Sequence, residues 1–598
     1  MCGIAGIADF KRNVVSVETL NKMLAAQFHR GPNDQGIYHN EHVCMGMRRL
    51  AIIALENGAQ PCFSNNERFA LVFNGEIYNY QELRRELISQ GYRFVTDSDA
   101  EVIVNLYQRD GLDFYNQLEG MFAIAIYDKI EDSFLLARDY TGKKPLFYAF
   151  HDGVLSFASE LKALLEQKNI KRKINLPALD YFLRYRVVPG DQSIFESVQK
   201  VPPGSTIVFN ARGQTQQHHW RVDYKSDEAP SLDDWVDEID AALNQAISKR
   251  LSAEVPVGTM LSGGLDSSLV TAIACKQQKR KLNTFAVGFH EADYSELDYA
   301  RRLAEDLGTE HHSYIINRDE ALDAAHKMVS HFGEPFAFPS SIACYFMYFL
   351  ARQNVTVVLG GDGADELFGG YARYEFAGCY PNFPSNAILP RKVDIPGRDW
   401  SPNTFSTFYL SLLTDGLGLK QRRQLYSPMF KKHLTDVPSE NPSFRKAPIL
   451  AAMEYDFNHW MKEAQLVKID TASMANSLEV RSPFLDKQVI AIGSKLPHRY
   501  KIQKEQRKFL LYTLAKRYLP DYIARRKKQE LAVPLEKWIF SSIKEKIFEV
   551  ILSDRALSRG YFDADQLRSF VKEAQEEDSY MLWTLYILEK WHEIIADG

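Results

Sequence analysis

The sequence predicts two α/β units in tandem: an α/β sandwich of largely antiparallel sheets, then a doubly wound parallel sheet with a helical C-terminal part. Three observations carry this. At 598 residues the chain exceeds the roughly 250–300 residues over which one hydrophobic core keeps growing. Over residues 1–210, short β-rich runs alternate with turn signals and few helical patterns intervene. From Leu232 onward, helical patterns alternate with short apolar strands, the arrangement of a parallel sheet that binds ligands at its strand carboxyl ends.

Taken in order, strands are expected at Phe69 to Phe73, Met121 to Tyr127, Ser133 to Ala137 and Leu155 to Ala158, with a helix over Glu101 to Arg109. Residues 211–230 are polar, with Gly213, repeated glutamines and two histidines, and read as a linker. In the second unit, 231–598, strands are expected at Val255 to Leu261, Asn283 to Val287 and Val355 to Leu359. Helices are expected at Leu269 to Lys276 and Ile342 to Ala351. Residues 380–450, rich in Pro, Ser and Asn, read as an irregular insertion, and the chain turns mainly helical from Glu454. There are no internal repeats.

Bulk properties narrow the function. Hydrophobic content of 45% and charged content of 25% are those of an ordinary globular protein. A net charge of −5 gives no electrostatic footprint for nucleic acid or an anionic membrane. The longest apolar run, Ile342 to Ala351, is too short to span a bilayer, and the N-terminus lacks the basic start of a signal peptide. The 6 cysteines (2, 44, 62, 275, 344 and 379) are scattered with no Cys-x-x-Cys pair, against a disulfide framework or structural zinc. A reducing cytoplasm is expected.

Chemistry begins at residue 2. Loss of Met1 would leave Cys2 carrying both a thiol and a free α-amine, which titrate near ~8.5 and ~8. The amine can then act as base for the sulfur beside it. Taken alone, an early cysteine is also a chance occurrence. Arg49 offers a bidentate fork for a carboxylate, and Asp99 can hold an ammonium. Asn74 offers a side-chain amide donor and Gly75 a backbone N–H open to close approach, although Asn-Gly between apolar runs also signals a hairpin turn. Ser98 and Glu101 have capping-box spacing, so Asp99 also fits a helix start.

These pieces follow in one order: Cys2-Gly3-Ile4-Ala5-Gly6, His29-Arg30-Gly31-Pro32-Asn33-Asp34, Arg49-Leu50-Ala51-Ile52, Asn74-Gly75-Glu76-Ile77-Tyr78-Asn79 and Ser98-Asp99-Ala100-Glu101. The set resembles the glutaminase domain of class II glutamine amidotransferases, an N-terminal-nucleophile fold. The resemblance implies that Cys2 attacks the side-chain amide of glutamine and that Asn74 and Gly75 form the oxyanion hole. It places glutamine at Arg49, Ile52, Asn74, Gly75, Glu76 and Asp99.

The second unit holds a strand, Val255 to Leu261, running into Ser262-Gly263-Gly264-Leu265-Asp266-Ser267-Ser268. A glycine-rich turn before a helix presents free N–H groups to an anion. No Gly-Lys-Ser/Thr is present, so this is not a Walker A loop. The segment is similar to the pyrophosphate loop of the ATP-pyrophosphatase family. A second loop, Gly360-Gly361-Asp362-Gly363-Ala364-Asp365-Glu366-Leu367-Phe368-Gly369-Gly370-Tyr371, resembles the matching loop of asparagine synthetases, as do Asp470, Ser477 to Asp486, and Arg526-Lys527-Lys528.

This resemblance, to glutamine-hydrolysing asparagine synthetases, covers nearly the whole chain and is weakest over 380–450. It implies ATP binding at Leu261, Ser262, Gly263, Gly264, Asp266, Ser267, Ser268, Val287, Gly360, Gly361 and Lys528. It implies Mg²⁺ at Asp266 and Asp365, and Asp362 facing the acceptor or ammonia. Lys528 would neutralise phosphate charge as pyrophosphate leaves. The implied partners are glutamine, ATP and a carboxylate acceptor, L-aspartate by default, with a homodimer compatible. The chain departs from the family pattern at Ala54, Phe338, Gly360, Thr471 and Glu530-Leu531. Two alternatives therefore stand beside asparagine synthesis: the same reaction on a sugar uronate, a cell-wall amino acid or a biosynthetic intermediate, and an inactive ATP-binding regulator.

Overall fold

A computed structural model describes residues 2–380, 382, 402–414, 416–434, 446–504, 506–524, 526 and 532–597. The first half contains β1 (Cys2–Asp9), β2 (Asp34–His39), β3 (Val43–Arg49), β4 (Cys62–Phe63), β5 (Phe69–Ile77) and β6 (Gly120–Asp128). It continues with β7 (Ser133–Arg138), β8 (Phe147–His151), β9 (Val154–Ala158), β10 (Gln199–Lys200), β11 (Ser205–Asn210) and β12 (Gly213–His218). These form two six-stranded sheets, ordered β10-β8-β9-β1-β3-β2 and β12-β11-β7-β6-β5-β4. Neighbouring strands run antiparallel in both.

The sheets face each other through a core in which Ile4, Ala8, Met45 and Met47 meet Val72, Ala123 and Ala125. Their outer faces are covered too. Leu71 and Phe73 lie under the helices Tyr80–Ser89 and Asp99–Asp110, and Ala5 and Ile7 under Val17–Ala26. Burial on both faces explains why β1, β5 and β6 read as continuous apolar runs instead of alternating ones. The expected sandwich is the observed one.

One boundary changes. Residues 213–218, expected in the linker, form β12, the edge strand of the second sheet, in full register with β11. Its sequence, Gly-Gln-Thr-Gln-Gln-His, is exposed on both faces from Gln214 to His218 and has no apolar side to reveal it.

The second half is built on a parallel sheet of β13 (Val257–Met260), β14 (Asn283–Phe289), β15 (Glu310–Ile316), β16 (Val357–Leu359) and β17 (Glu479–Arg481), ordered β15-β14-β13-β16-β17. The order reverses at β13, so the loops after β13 and β16 open a crevice at the sheet's carboxyl edge, where doubly wound folds bind ligands. The expected helix at Leu269 to Lys276 begins earlier, at Leu265, with Gly264 as its N-cap residue. Asp266, Ser267 and Ser268 therefore stand in its first turn, not in the preceding loop.

The stretch read as an irregular insertion is partly helical, with helices Pro402–Leu412, Leu419–Leu425 and Pro448–Asn458; the rest of it falls partly outside the described residues. All 6 cysteines are free. Among the described residues, no helix is long and apolar enough to cross a membrane.

Candidate active sites

In the first half, Cys2 opens β1 and is buried. Its backbone nitrogen donates to Asn74 Oδ1 at 2.9 Å, and its carbonyl accepts from Arg30 Nε at 3.1 Å. Asn74 and Gly75 lie inside β5, paired with Ala123 and Phe122, so they are strand and not a hairpin turn. Gly75 has no room for a side chain: a Cβ there would stand 2.8 Å from the Phe122 Cα and closer still to the Met121 carbonyl. Asn74 Nδ2 is buried with no hydrogen-bond partner among the described residues. An unpaired buried donor costs about 1–3 kcal/mol, a cost that an incoming oxygen would cancel.

Arg49 is the register partner of Cys2 across β1 and β3. Its Nη2 donates to the carbonyls of Ala54 at 2.7 Å and Ile53 at 3.1 Å, which fixes the guanidinium. Ala54, one of the departures from the family pattern, contributes through this carbonyl and takes up a positive φ of 49°. Asp99 begins the helix Asp99–Asp110 behind the Ser98 cap and accepts from Ile77 N at 3.0 Å. Burial pushes its carboxyl up to about 6, against the pull of that N–H. Cys62 senses the same neighbourhood: burial first, then the carboxylates of Glu101 and Asp99, push its thiol up to about 12, with Arg49 opposing.

Two further candidate glutamine contacts also meet the second half. The Glu76 carboxylate lies 3.2 Å from Arg481 of the second half. Burial, reinforced by Glu479, raises it despite that arginine. Ile52 packs with Leu50, Met121, Val357 and Met474 between the two halves.

In the second half, the glycine loops after β13 and β16 touch. A Cβ on Gly361 would stand 2.9 Å from the Asp266 Cβ, so the glycine sets how closely the loops approach. They line a cavity of about 1640 Å³ together with Ser262, Gly264, Asp266, Ser267, Gly361, Asp362 and Asp365. Leu261, Gly263, Ser268, Val287 and Gly360 are not among its lining residues, and Ser268 is fully buried. Lys528, with Lys527 and Glu530-Leu531, lies outside the described residues. Neighbouring Arg526 donates to the Gly263 carbonyl at 3.1 Å and pairs with Glu296 at 2.5 Å.

Asp266 and Asp365 converge on the ammonium of Lys508, which pairs with both, at 2.7 Å from Asp365. Burial opposes this charge, but the two carboxylates outweigh it and hold the lysine above its ordinary range. Sequence reading missed Lys508. It has a left-handed backbone, φ 53°, at the start of the helix Phe509–Ala515, and no motif marks it. Among the described residues, no group of three or more His, Cys, Asp or Glu could hold a metal ion. Two convergent carboxylates suit Mg²⁺, which takes one or two carboxylates and completes its shell with water and phosphate oxygens.

The two sites are joined by buried charge. Arg30, whose Nε holds the Cys2 carbonyl, pairs through Nη1 with Glu160 at 3.1 Å and through Nη2 with Asp470 at 2.9 Å. Lys144 reaches the same Asp470 at 2.9 Å. Burial pushes the Asp470 carboxyl up, yet Arg30 and Lys144 hold it below its usual range. Beside this network is a small cavity of about 50 Å³ between the halves, lined by Arg30, Lys143, Ser159, Glu160, Asp470 and Thr471.

Comparison with known proteins meets this division. A glutamine amidotransferase domain model matches residues 1–220, and an asparagine synthase model matches residues 238–593. The chain belongs to the glutamine-hydrolysing asparagine synthetase family. It is 34% identical to asparagine synthetase [glutamine-hydrolyzing] 1 of Bacillus subtilis (strain 168), over 99% of this chain and 97% of that protein. It is 28% identical to asparagine synthetase [glutamine-hydrolyzing] 3 of the same strain, over 94% and 93%. Against asparagine synthetase B of Escherichia coli (strain K12) identity is 33%, over 63% and 66%. As a family member the chain is a glutamine-hydrolysing carbon–nitrogen ligase.

Within this asparagine synthetase frame the remaining departures have places. Thr471 lines the small inter-domain cavity. Phe338 lines the large one, edge-on to Trp460 at 5.1 Å between ring centres, with the Arg186 guanidinium 4.2 Å from its own centre.

Proposed function

We propose that this family member makes asparagine from L-aspartate, using glutamine as nitrogen donor and ATP as activator, with glutamate, AMP and pyrophosphate as the other products. Cys2 attacks the side-chain amide of glutamine, expelling ammonia and leaving a thioester that water cleaves. Asn74 Nδ2 and Gly75 N–H take the charge that develops on the former carbonyl oxygen. Arg49 holds the α-carboxylate of glutamine and Asp99 its α-ammonium. In the second site the acceptor carboxylate attacks the α-phosphorus of ATP, and ammonia converts the resulting acyl-adenylate to the amide.

Asp266 and Asp365 would hold Mg²⁺, which neutralises phosphate charge when bound. Lys508 and Lys528 supply positive charge toward the same phosphates, and Asp362 faces the acyl carbon. The observation that carries the reading is the continuity of the two sites: Arg30 touches the Cys2 carbonyl at one end and Asp470 of the ATP-binding half at the other. The free cysteines fit work in the cytoplasm.

A second reading keeps the mechanism and changes the acceptor. Phe338, edge-on to Trp460 and beneath the Arg186 guanidinium, gives the large cavity an aromatic wall. Such a wall suits a carboxylate bulkier and less charged than aspartate. Screening carboxylic acids for stimulated AMP release from ATP separates the two. Aspartate-stimulated AMP and asparagine formation supports the first; a panel in which aspartate is inert and another acid turns over establishes the second.

The Asp99 carboxyl predicts a pH dependence. Above about 6 it is ionised and holds the glutamine ammonium; below that value protonation removes the charge. The kcat/KM for glutaminase is expected to fall about tenfold per pH unit on the acid side. Glutamate release measured across pH 5–8 checks this, and a flat profile removes Asp99 from the role.

A further inference from the structure

The chemistry above leaves Lys143 unused, although it connects the first half to the amidation site. It sits in the turn after β7 and is 3% exposed. That turn is fixed by Asp139, whose carboxylate accepts from the backbone N–H groups of Thr141 at 3.0 Å, Lys143 at 3.1 Å and Lys144 at 3.0 Å. The Lys143 ammonium donates to Ser482 Oγ of the second half, and Ser482 Oγ donates to Asp362 Oδ2 at 2.8 Å.

Direction matters in this chain. An ammonium has donors and no acceptor, so the serine oxygen must accept from it. The single hydroxyl proton is left to point at Asp362. Ser482 is itself set by β17: Arg481 is the register partner of Leu359, and its carbonyl accepts from Gly360 N at 2.9 Å. Gly360, a departure from the family pattern, fits the same arrangement. A Cβ there would stand 2.8 Å from Asp362 Oδ2, so the absent side chain is the space into which the carboxylate turns toward Ser482.

We propose that Lys143 is a positioning residue for amide formation, acting through Ser482 to hold Asp362 where it receives a proton from the attacking ammonia. The step balances as follows. The ammonia lone pair forms the C–N bond, the acyl carbon–oxygen bond breaks with its electron pair leaving on AMP, and one N–H proton passes to the Asp362 carboxylate. Burial pulls the Lys143 ammonium down to about 8, with Asp362 opposing.

The inference rests on the ATP-dependent amidation proposed above, and the test separates the two. In the full-length enzyme, ATP–pyrophosphate exchange stimulated by L-aspartate, or by the acid found in the AMP screen, reports adenylation. Amide formation from saturating ammonium salt reports the later step. For Lys143→Met we expect amide formation to fall roughly 10–100-fold with exchange held within about twofold of wild type. Lys143→Arg should recover most of the loss. Ser482→Ala should give the same split, and it carries the test if Lys143→Met fails to fold. The double variant should be no worse than the worse single one, because both act through one chain. Equal loss of exchange and amide formation, or no loss of either, overturns the proposal. Wild-type protein that supports no acid-stimulated exchange or AMP release would instead overturn the amidation reading itself.

Discussion

Cys2→Ala is expected to lower glutamine-dependent amide formation by roughly 10⁴-fold or more while synthesis from ammonium salts continues. The reason lies in what the thiol supplies. Release of ammonia proceeds here through a covalent thioester, and the other thiol nearby, Cys62, is held protonated by burial, its pKa pushed up to about 12. Asn74, Arg49 and Asp99 would still bind and orient glutamine, so the variant should retain glutamine affinity and lose turnover. External ammonia bypasses the step because Asp266, Asp362 and Asp365 stand on the other half. Glutamate release measured beside amide formation checks both parts. Glutamine hydrolysis at the wild-type rate in this variant would remove Cys2 as the nucleophile.

The second large effect is its mirror image. Asp266→Asn and Asp365→Asn should each lower amide formation by roughly 10²–10³-fold and leave glutaminase activity in place. Each change removes one of two carboxylates that converge on a single point beside the phosphate loops. The Mg²⁺ concentration that gives half-maximal AMP release should rise in both variants. AMP formation with unaltered Mg²⁺ dependence in both would refute the metal assignment. A circular dichroism spectrum like that of the wild type guards against misfolding, since Lys508 keeps one carboxylate partner in either variant.

Much of this was legible in the residues, for identifiable reasons. Cys2, Asn74-Gly75 and the two glycine loops are local: their chemistry and the turn or strand that presents them lie within a few consecutive positions. The strands β5, β6 and β14 declared themselves because both of their faces are buried. What escaped is non-local or polar. Lys508 meets Asp365 from 143 positions further along, and nothing in Arg507-Lys508-Phe509 separates it from an exposed basic residue. The strand β12 lacks apolar side chains, so its pairing is a backbone fact that periodicity cannot show. Asn74-Gly75 carried a strong turn signal that the sheet overrode, because β5 continues through it to Ile77. The start of the helix Leu265–Gln277 slipped by four residues because a glycine cap is a weak marker beside a run of serines.

The buried arginine at the junction bears on whether the first half can be treated as a detachable module. Cut away from the rest of the chain, it would retain Arg30 and Lys144 but lose Asp470, the carboxylate that both contact. Arg30 would keep Glu160 at 3.1 Å but lose its second carboxylate, and Lys144 would lose the carboxylate it reaches, a loss that water admitted at the cut face offsets in part. The guanidinium so unsettled is the one that holds the Cys2 carbonyl. A separated glutaminase is therefore expected to hydrolyse glutamine less well than the full chain, and a swap of this half between relatives should carry the Asp470 side of the contact along with it. The shared counter-charge, beyond the covalent continuity of the chain, is what such a cut would remove.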